Sequence, residues 1–504
     1  MPTGEARGRT AAPQAPRRGV EAPASNLIRM KPSEADALRL RSFLGQRPLW
    51  EVEEGTLVAL PSVSLGADEL ISKMGDPRKF DERLSFLLLL LKAPGLRLTY
   101  VSSNPLPEDV VNHYLDRLPD PSDSRSRLTL ISLGDSRHRP LAQKLLGNPS
   151  ALEEVRSSIG DPAAACIVPM DVTPDELALA ASLEIPIFGP AAEFGHLGTK
   201  SGSRTVARAA GVPVLPGREN LCHRDELKAA VAELQVEDPA IERVILKLDE
   251  GFSGEGNAVL DLTDDGREVI LGGDSLDWPG FLEKMQQGGV IEAFIDAPTL
   301  RCPSVQIYVC PDGNVQVLAS QEQILGGASG QAFIGCRFPA DDDLRAELHV
   351  HAQAIAEHLS AEGVQGIFGL DFLVHGAPGA TSVYLCEINL RMGGATAPCF
   401  LARLLTGGSY DATTGLMHAG GKEIHYLSRE HVNAPQGAAF GDLRRRLVEA
   451  GLLFSSETVT GVWPHVCTTL GRGELGYIVF GGSREEIKDI DKQMAAFLAS
   501  VLVS

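Results

Sequence analysis

Three polar side chains alternate along one predicted strand in the second half of the chain. The stretch LCEINLRMGG, residues 385–394, contains Glu387, Asn389 and Arg391 at every second position. Because successive side chains of a β-strand point to opposite faces, these three would share one face, and the intervening isoleucine and leucine would share the other. An anion, an amide and a cation would therefore line one surface beside an apolar core.

A second predicted strand adds another carboxylate. In IFGLDFLV, residues 367–374, Asp371 lies on the face opposite to four apolar side chains. Two carboxylates and an amide oxygen are hard ligands suited to Mg²⁺, which keeps waters and nucleotide phosphates as ligands and needs few from the protein. Asp371, Glu387 and Asn389 are therefore candidate magnesium ligands. The alternative is a solvated strand face that carries a salt bridge.

Two lysines could supply positive charge for phosphate groups. Lys247 ends an apolar strand in VILKLDEGFSGEGNAV, just before a glycine-rich turn, and Lys200 lies in GTKSGSRTVARAAG. Glycines let backbone N–H groups approach a phosphate closely, and a lysine ammonium acts as a point charge on its oxygens. The alternatives are an ordinary glycine-rich hairpin and a surface lysine. The turn residues that could contact phosphate are Gly251, Ser253, Gly254 and Gly256.

The elements that must position these residues begin with an alternation of strands and helices. Such alternation is typical of an open α/β domain with a parallel sheet. We predict a disordered tail over residues 1–35 and an α/β domain over residues 36–195. The strand-like runs lie at 57–63, 96–103, 127–134, 164–170 and 185–190, and the helical patterns at 80–92, 108–118 and 173–183.

The rest of the chain is predicted to form a larger α+β domain and a small final one. Two strand-like runs within residues 243–262 flank the glycine-rich turn, and a further strand-like run covers residues 290–295. Strand-rich sequence continues to about residue 405. We predict an α+β domain over residues 196–405 and a small C-terminal α+β domain over residues 406–504, which ends in an amphipathic helix.

Composition restricts the class of protein. The 504 residues carry a net charge of −20, which disfavours a nucleic-acid partner because a negative field repels polyphosphate. The longest apolar run, Phe86–Leu91, is far too short to cross a bilayer. The eight cysteines form no C-x-x-C pair, so we interpret them as isolated buried thiols in a reducing compartment. These features predict a cytoplasmic protein with neither a membrane nor a nucleic-acid partner.

Three common motifs yield no functional assignment. The sequence contains no G-x-x-x-x-G-K-[ST] phosphate-binding loop. Gly471, Gly473 and Gly476 fit G-x-G-x-x-G, but they lie between two strand-like runs, so we interpret them as a hairpin turn. His349 and His351 lie in a helical run at positions that do not share a face, which argues against a metal pair.

Taken in order along the chain, these features resemble the ATP-grasp superfamily over roughly residues 190–405. The matching elements are K-x-x-x-R-x-x-x-x-x-A-G-V-P-V from Lys200, Lys247 with its glycine-rich turn, VIEAFI, the GLDF strand and E-I-N-L-R. The resemblance implies an α/β pre-ATP-grasp domain followed by two α+β subdomains that hold ATP between them. A small C-terminal domain would complete the fold.

The same resemblance implies a role for each candidate residue. Many family members also have an acid after the adenine-binding hinge for the ribose hydroxyls, and only Asp296 is available here. The implied contacts are Lys200 and Lys247 to phosphates under the 251–257 turn, Glu292, Phe294 and Ile295 to adenine, Asp371, Glu387 and Asn389 to magnesium, and Arg391 to the reacting phosphoryl or acyl centre.

A looser resemblance, over about residues 50–490, is to the pheganomycin-type peptide ligases. It rests on the long α/β segment, on the stretch at residues 321–340 and on the short C-terminal segment. Such enzymes join a carboxylic acid to the amine of an amino acid or peptide. The resemblance implies an ATP-dependent ligase that uses ATP and Mg²⁺, acts on small molecules or peptides and forms a homodimer. The alternatives are another ATP-grasp reaction, carboxylation or phosphorylation of a non-acyl acceptor, and a non-catalytic nucleotide-binding protein.

Polar residues after the hinge are candidate substrate contacts. Arg301, Ser304 and Gln306 lie in a stretch otherwise made of apolar or small residues. Gln321, Gln323 and the Gly326–Gly330 loop are further candidates, because such loops can close over an intermediate and exclude water. The alternative is that all of these are solvated loop residues.

Overall fold

A computed structural model describes residues 34–63, 78–250, 256–263, 269–271, 277–295, 300–326, 332–377 and 380–502. Within these residues the strands form three sheets, of four, five and ten strands. None of the described helices is long and apolar enough to cross a membrane.

The N-terminal part is an open parallel sheet, which confirms the prediction from alternating strands and helices. Neighbouring positions of its first strand enter different cores: Leu57 and Ala59 pack into one, and Val58 and Leu60 into another. A parallel sheet is buried on both faces in this way because helices cover each side. The strands are β1 (Glu54–Leu60), β2 (Gly95–Ser102), β3 (Leu128–Ser132) and β4 (Ala165–Pro169), paired in the order β3-β2-β1-β4.

Short helices surround this sheet. The α-helices are α1 (Glu34–Phe43), α2 (Arg78–Asp81), α3 (Glu108–Leu115), α4 (Pro121–Ser126), α5 (Leu141–Leu146), α6 (Pro149–Ser158) and α7 (Pro174–Leu183). The 3₁₀ helices of this part are Leu49–Glu51, Ser85–Lys92, Pro162–Ala164 and Ala192–Gly198.

Two segments of this part differ from the prediction. Residues 80–92 do not form one α-helix, because α2 ends at Asp81 and a 3₁₀ helix follows over Ser85–Lys92. All residues of Phe86–Leu91 are buried, so packing on every side, rather than an amphipathic face, decides their winding. Residues 185–190 form no strand and make a single parallel bridge to β4, since Pro186 and Pro190 have no N–H group to donate to a sheet.

The central part contains a five-stranded sheet beside three helices. The two strands predicted within residues 243–262 are present and pair antiparallel, with Lys247 opposite Asn257. The strands are β5 (Gly217–Arg218), β6 (Arg243–Leu248), β7 (Asn257–Asp261), β8 (Val269–Leu271) and β9 (Gly289–Ala293), in the order β5-β9-β6-β7-β8. The helices are α8 (Lys200–Ala209), α9 (Arg224–Glu237) and α10 (Trp278–Met285).

The largest sheet joins the strand-rich segment to the end of the chain. Its first strands are β10 (Pro303–Val309), β11 (Val315–Gly326), β12 (Ala332–Phe338), β13 (Gly366–Ala377) and β14 (Ala380–Asn389). Its later strands are β15 (Ser409–Asp411), β16 (Leu416–Ala419), β17 (Lys422–Asn433), β18 (Gly461–His465) and β19 (Glu474–Gly481). The helices of this part are α11 (Arg345–Ala361), α12 (Thr396–Thr406), α13 (Phe440–Glu449) and α14 (Arg484–Leu502).

Hydrogen bonding is continuous between the two halves of this sheet. Strand β12 pairs with β17, for example at Gly335 and Arg429, so strands beyond residue 406 extend the sheet that carries β13 and β14. The domain boundaries proposed from the sequence stay predictions. The G-x-G-x-x-G stretch lies in the β18–β19 connection and at the start of β19, and the two strands pair antiparallel, which confirms the hairpin interpretation.

Three hydrogen bonds donated by backbone amides bring the three parts together around β14. The amide of Leu385 donates to the carbonyl of Pro213, and the amide of Ile388 donates to Ser203 Oγ, each at 2.9 Å. Just beyond the strand, the amide of Met392 donates to the carbonyl of Met170 at 2.9 Å. Strand β14 is therefore held against the loop after α8, against α8 itself and against the carboxyl end of β4.

Candidate active site

The polar residues predicted on β13 and β14 lie side by side. Asp371 is the cross-strand partner of Glu387, and Gly369 is the partner of Asn389. The amide nitrogen of Asn389 donates to Asp371 Oδ2 at 2.9 Å and to Glu387 Oε1 at 3.3 Å. The structure thus brings the three candidate magnesium ligands together, and a half-turn of the amide would present its oxygen to the same space.

Arg391 reaches this region from a turn rather than from the strand. Strand β14 ends at Asn389, and the amide of Arg391 donates back to the carbonyl of Asn389 at 2.7 Å. The predicted alternation is therefore correct for Glu387 and Asn389 and wrong for Arg391, because the ladder ends before it. The positive charge of Arg391 still acts on Asp371 and on Lys200.

Both predicted lysines point at β14. Lys200 is the first residue of α8, and its ammonium forms an ion pair with Glu387. Its side chain is 15% exposed, so the alternative of a surface lysine is wrong. The pKa of Lys200 is lowered to about 8, mainly by burial; Cys386 and Asp371 oppose this shift, and the charges of Lys247 and Arg391 contribute to it.

Lys247 is held by a buried carboxylate on the neighbouring strand. Its ammonium donates to Glu292 Oε2 at 2.6 Å, and Arg204 from α8 forms a second ion pair with the same carboxylate. Burial alone would lower the pKa of Lys247, but Cys386 and Glu292 outweigh it and the pKa is raised. Conversely, burial would raise the pKa of Glu292, and Lys247 with Arg204 hold it below its usual value. Lys247 therefore stays protonated over the physiological range.

The three residues predicted to contact adenine have different surroundings. The Glu292 carboxylate is occupied by two cations, while the Phe294 amide donates to the carbonyl of Arg243 at 3.0 Å and the Arg243 guanidinium lies over the Phe294 ring. Ile295 is half-buried at the end of this described stretch. The adenine-binding role of all three stays a prediction.

A β-bulge places Cys386 where the alternation did not predict it. The β13–β14 register shifts between Asp371 and Phe372, so Cys386 is an extra residue on its strand. Its sulfur lies 3.8 Å from the Lys247 ammonium. All eight cysteines are free thiols, and the prediction that all are buried is wrong for three half-buried ones, namely Cys222, Cys302 and Cys386.

Two of the predicted substrate contacts instead adjoin Asp371. Ser304 is its cross-strand partner on β10, and both Ser304 and Gln323 hydrogen bond to its carboxylate. Burial raises the pKa of Asp371, while these hydrogen bonds and the charge of Lys200 oppose the rise. Ser304 and Gln323 therefore orient a candidate metal ligand.

The other predicted substrate contacts have partners of their own. Gln306 accepts from Thr396 Oγ1 at 2.9 Å and lies on β10 opposite Gly369, beside Asn389. Arg301 donates to both carboxylate oxygens of Asp343 at 3.1 Å, and buried Gln321 accepts from Tyr426 Oη at 2.6 Å. Arg301 and Gln321 therefore form side-chain hydrogen bonds away from β14.

Of the residues named in the glycine-rich turn predicted to contact phosphate, only Gly256 is among the described residues. It has a positive φ of 88°, and its carbonyl accepts from the amide of Leu248 at 2.9 Å. The other predicted residues that lie outside the described residues are Gly251, Ser253, Gly254, Asp296 and residues 327–330 of the Gly326–Gly330 loop.

Asp171 was missed from the sequence although a signal was present. It lies just beyond the carboxyl end of β4, which is the edge where open parallel sheets bind ligands. The preceding residue, Met170, accepts a hydrogen bond from the amide of Met392. Burial raises the pKa of Asp171, and the positive charge of Arg391 opposes that rise. Arg204 and Cys386 were also missed, and only the packing of α8 and the bulge reveal them.

The donor set fits magnesium better than a softer metal. Among the described residues, no group of three or more His, Cys, Asp and Glu side chains could hold a metal ion. Asp371 and Glu387 with the Asn389 amide instead offer two carboxylates and one neutral oxygen. Mg²⁺ suits such a site because nucleotide phosphates and waters complete its octahedron.

Comparison with known protein families matches the part of the chain that carries this site. A family model described as "IQCH-like, ATP-grasp" matches residues 193–266 and 275–413. The IQ motif-containing protein H of Danio rerio is 24% identical over 436 residues, which are 74% of this chain and 41% of that protein. This chain therefore spans less than half the length of that relative.

Solved structures share the fold. The biotin carboxylase β-γ-ATP complex of Campylobacter jejuni superposes with a TM-score of 0.53 at 16% identity, covering 86% of this chain and 89% of that one. The biotin carboxylase domain dimer of the Hydrogenobacter thermophilus 2-oxoglutarate carboxylase, in complex with MgADP, ADP and bicarbonate, gives 0.51 at 12% identity, covering 86% and 88%. At these identities the likeness concerns the fold alone.

One curated relative matches at higher identity over most of the chain. The L-propargylglycine–L-glutamate ligase of Streptantibioticus cattleyicolor is 30% identical over 425 residues, which are 80% of this chain and 86% of that enzyme. Because it extends over both chains in this way, the protein belongs to the ATP-grasp ligase family.

Proposed function

We propose that this protein joins a carboxylic acid to an amine at the expense of ATP, with an acyl phosphate as intermediate and ADP and phosphate as products. The observation that carries the proposal is the ion pair of Lys200 with Glu387 beside Asp371 and Asn389. Lys247 reaches the same place from the opposite sheet. Such a set binds the charged end of a nucleotide.

The first step is phosphoryl transfer to the carboxylate. A carboxylate is a poor acyl donor because attack would expel an oxide, whereas the acyl phosphate releases phosphate. Phosphoryl transfer depends mainly on positioning and on neutralising the oxygens of the transferred group. Lys247, whose protonation Glu292 maintains, would supply fixed positive charge, and Lys200 would exchange Glu387 for phosphate oxygens. Magnesium held by Asp371, Glu387 and Asn389 would neutralise further phosphate charge.

The second step is attack of the amine on the acyl phosphate. The carbonyl oxygen becomes anionic in the tetrahedral intermediate, and a fixed cation stabilises it. Arg391 lies between the metal-ligand candidates and the carboxyl end of β4, so it would face this oxygen. The amine loses a proton as the amide forms, and the phosphate leaves with the electron pair of the broken C–O bond.

The relative's name suggests which substrates to test first. It is a ligase for L-propargylglycine and L-glutamate. We propose that this chain likewise acts on amino acids, with L-glutamate as the first acid and other amino acids as the first amines. Cytoplasmic location and a homodimer stay predictions.

The test is ADP release from Mg-ATP with amino acids offered singly and in pairs. Wild type would be compared with Glu387→Gln and Arg391→Ala, and with Lys228→Met as a control at an exposed ion pair. ADP release that needs both an acid and an amine, and that falls about 100-fold or more in the two site variants only, is expected. ADP release that needs bicarbonate or a hydroxyl acceptor, without any amine, would overturn the ligase proposal.

A further inference from the structure

The N-terminal parallel sheet changes the direction of its strand order at β1. The chain adds β2 and β3 on one side of β1 and then places β4 on the other side, in the order β3-β2-β1-β4. Open α/β sheets bind ligands at such a switch point, at the carboxyl ends of the strands, because the connections there diverge and leave a crevice. Asp171 lies just beyond the carboxyl end of β4 and therefore at this point. Neither reaction step described above gives it a role.

A single hydrogen bond brings Asp171 close to Arg391. The amide of Met392 donates to the carbonyl of Met170 at 2.9 Å, and Arg391 and Asp171 are the sequence neighbours of these two residues. Standard bond lengths then keep the Cα atoms of Asp171 and Arg391 within about 8 Å of each other. The positive charge of Arg391 acts on the Asp171 carboxylate across this distance. An anion and a cation from two different sheets therefore lie beside each other.

The segment that carries Asp171 is fixed on both sides of it. Before it, the amide of Met170 donates to the carbonyl of the last residue of β1 at 3.2 Å. After it, the amide of Thr173 donates to the buried carboxylate of Glu176 at 2.9 Å. The other oxygen of Glu176 accepts from Ser62, in the loop after β1, at 2.6 Å. Anchors of this kind hold a functional side chain in one place, as a reacting centre requires.

The Asp171 carboxylate can bind an ammonium ion. One of its oxygens accepts from the amide of Val172 at 2.9 Å, and a carboxylate has about four lone-pair sites, so it can accept further hydrogen bonds. The charged groups around it are Arg391, from the turn after β14, and Glu176, of α7. Because Asp171 is half-buried, its attraction for a cation is screened less than it would be in water.

Amide formation needs a charge of each sign at one place. In the proposed second step, Arg391 faces the carbonyl oxygen of the acyl phosphate. The attacking nitrogen must approach the acyl carbon to about 3 Å, so the group that binds this nitrogen must lie beside the group that binds the oxygen. An amine is mostly an ammonium ion at neutral pH, which is attracted to a carboxylate but has no lone pair for attack. The reaction therefore needs an anionic base beside Arg391, which is where Asp171 lies.

We propose that Asp171 binds the incoming amine as its ammonium ion and removes the proton that blocks attack. This inference rests on the proposed function and supplies the base for its second step. One proton passes from the ammonium to the Asp171 carboxylate, and the freed lone pair forms the C–N bond. The C–O bond of the acyl phosphate breaks, and phosphate leaves with its electron pair and takes the next proton from nitrogen. Asp171 then returns its proton to water.

Hydroxylamine separates this role from every earlier step. It is uncharged at neutral pH and attacks acyl phosphates without a base, and the hydroxamate that it forms is measured by its colour with iron(III). Wild type, Asp171→Asn and Asp161→Asn would be compared with hydroxylamine and with the amino-acid amine that gives the fastest ADP release in the assay above. Asp161 is exposed at the amino end of β4 and caps a 3₁₀ helix, as asparagine also can, so Asp161→Asn removes the same charge at the opposite end of the strand.

The expected result differs between the two nucleophiles. Asp171→Asn should form the amide from the amino acid about 100-fold more slowly, because it lacks a general base, and should form hydroxamate at the wild-type rate. The KM values for ATP and for the acid should not change, and Asp161→Asn should match wild type with both nucleophiles. An equal loss with both nucleophiles, an unchanged rate with the amino acid, or a raised KM for the acid would overturn the inference.

Asp171→Glu is the second variant because it keeps a carboxylate at this position. Thermal midpoints of both variants would be measured first, since Asp171 is half-buried. Asp171→Glu is expected to form the amide about 10-fold faster than Asp171→Asn, with hydroxamate formation at the wild-type rate. A folded Asp171→Glu protein that is no faster than Asp171→Asn would contradict the assignment of a base.

The hydroxamate assay also separates this inference from the ligase proposal. Hydroxamate formed by wild type would support the acyl phosphate whatever the variants show, so a failure confined to the Asp171 variants would leave the ligase proposal standing. Absence of both hydroxamate and ADP release in wild type would overturn the ligase proposal and this inference together.

Discussion

Lys247 donates to Glu292 at 2.6 Å, and the two side chains are 7% and 2% exposed. Glu292 also pairs with Arg204, which is 1% exposed. Two cations therefore share one buried anion. Removing one partner of a buried ion pair is costly because the other charge stays desolvated. The carboxylate of Glu292 thus positions the ammonium of Lys247, for which we propose a contact with phosphate.

Glu292→Gln should lower the stability of the protein markedly. The substitution preserves volume but leaves buried Lys247 without its carboxylate partner and Arg204 with Glu219 alone, at a cost of about 3 kcal/mol. We expect the thermal midpoint to fall by about 5 °C or more. As a control, Glu233→Gln removes an exposed ion-pair partner of Arg218 and should change the thermal midpoint little. Equal midpoints for Glu292→Gln and wild type would show that the buried pair does not stabilise the fold.

The affinity for ATP should depend on the protonation of Lys200. Its pKa is lowered to about 8, so the ammonium is charged below that pH and loses its charge as the pH rises through it. We expect kcat/KM for ATP to fall above about pH 8. Lys200→Arg keeps the charge at high pH and should flatten this limb, whereas Lys228→Arg should leave the profile unchanged. A limb that persists in Lys200→Arg would assign it to another group.

Ser304→Ala should weaken magnesium activation without changing the maximal rate. Ser304 is buried and hydrogen bonds to Asp371, and loss of an outer hydrogen bond to a metal ligand typically costs 10-fold or more in metal affinity. We expect a Mg²⁺ titration of ADP release to shift about 10-fold to higher concentration, with kcat restored at saturation. Ser500→Ala, at an exposed position of α14, is the control. A lower kcat at saturating Mg²⁺ would indicate a different role.

ATP should protect Cys386 from alkylation. Its sulfur lies 3.8 Å from Lys247, so a bound nucleotide would cover it. We expect maleimide labelling, followed by mass spectrometry, to slow about 10-fold at Cys386 with saturating ATP and to stay unchanged at Cys222 on the far side of the central sheet. Cys302 should react slowly throughout, because burial raises its pKa to about 12. Equal labelling of Cys386 with and without ATP would place the nucleotide elsewhere.

Local pattern was enough to predict much of the fold and part of the site. The alternation of strands and helices predicted the parallel N-terminal sheet, and the period of two along residues 385–394 placed Glu387 and Asn389 on one face. Lys200 and Lys247 were recognised from neighbouring residues in the same segments. These placements were predictable because they depend on backbone geometry over a few residues, which the local sequence largely determines, while the binding roles of the residues stay predictions.

The tertiary structure decided the features that depend on distant partners. The bulge at Cys386 arises from pairing with β13, and the direction of the Glu292 side chain depends on Arg204 from α8. Asp171 faces Arg391 only because the end of β4 meets the end of β14. Register, buried ion pairs and contacts between sheets join residues far apart in sequence, so they follow from packing and desolvation across the whole molecule and not from local periodicity.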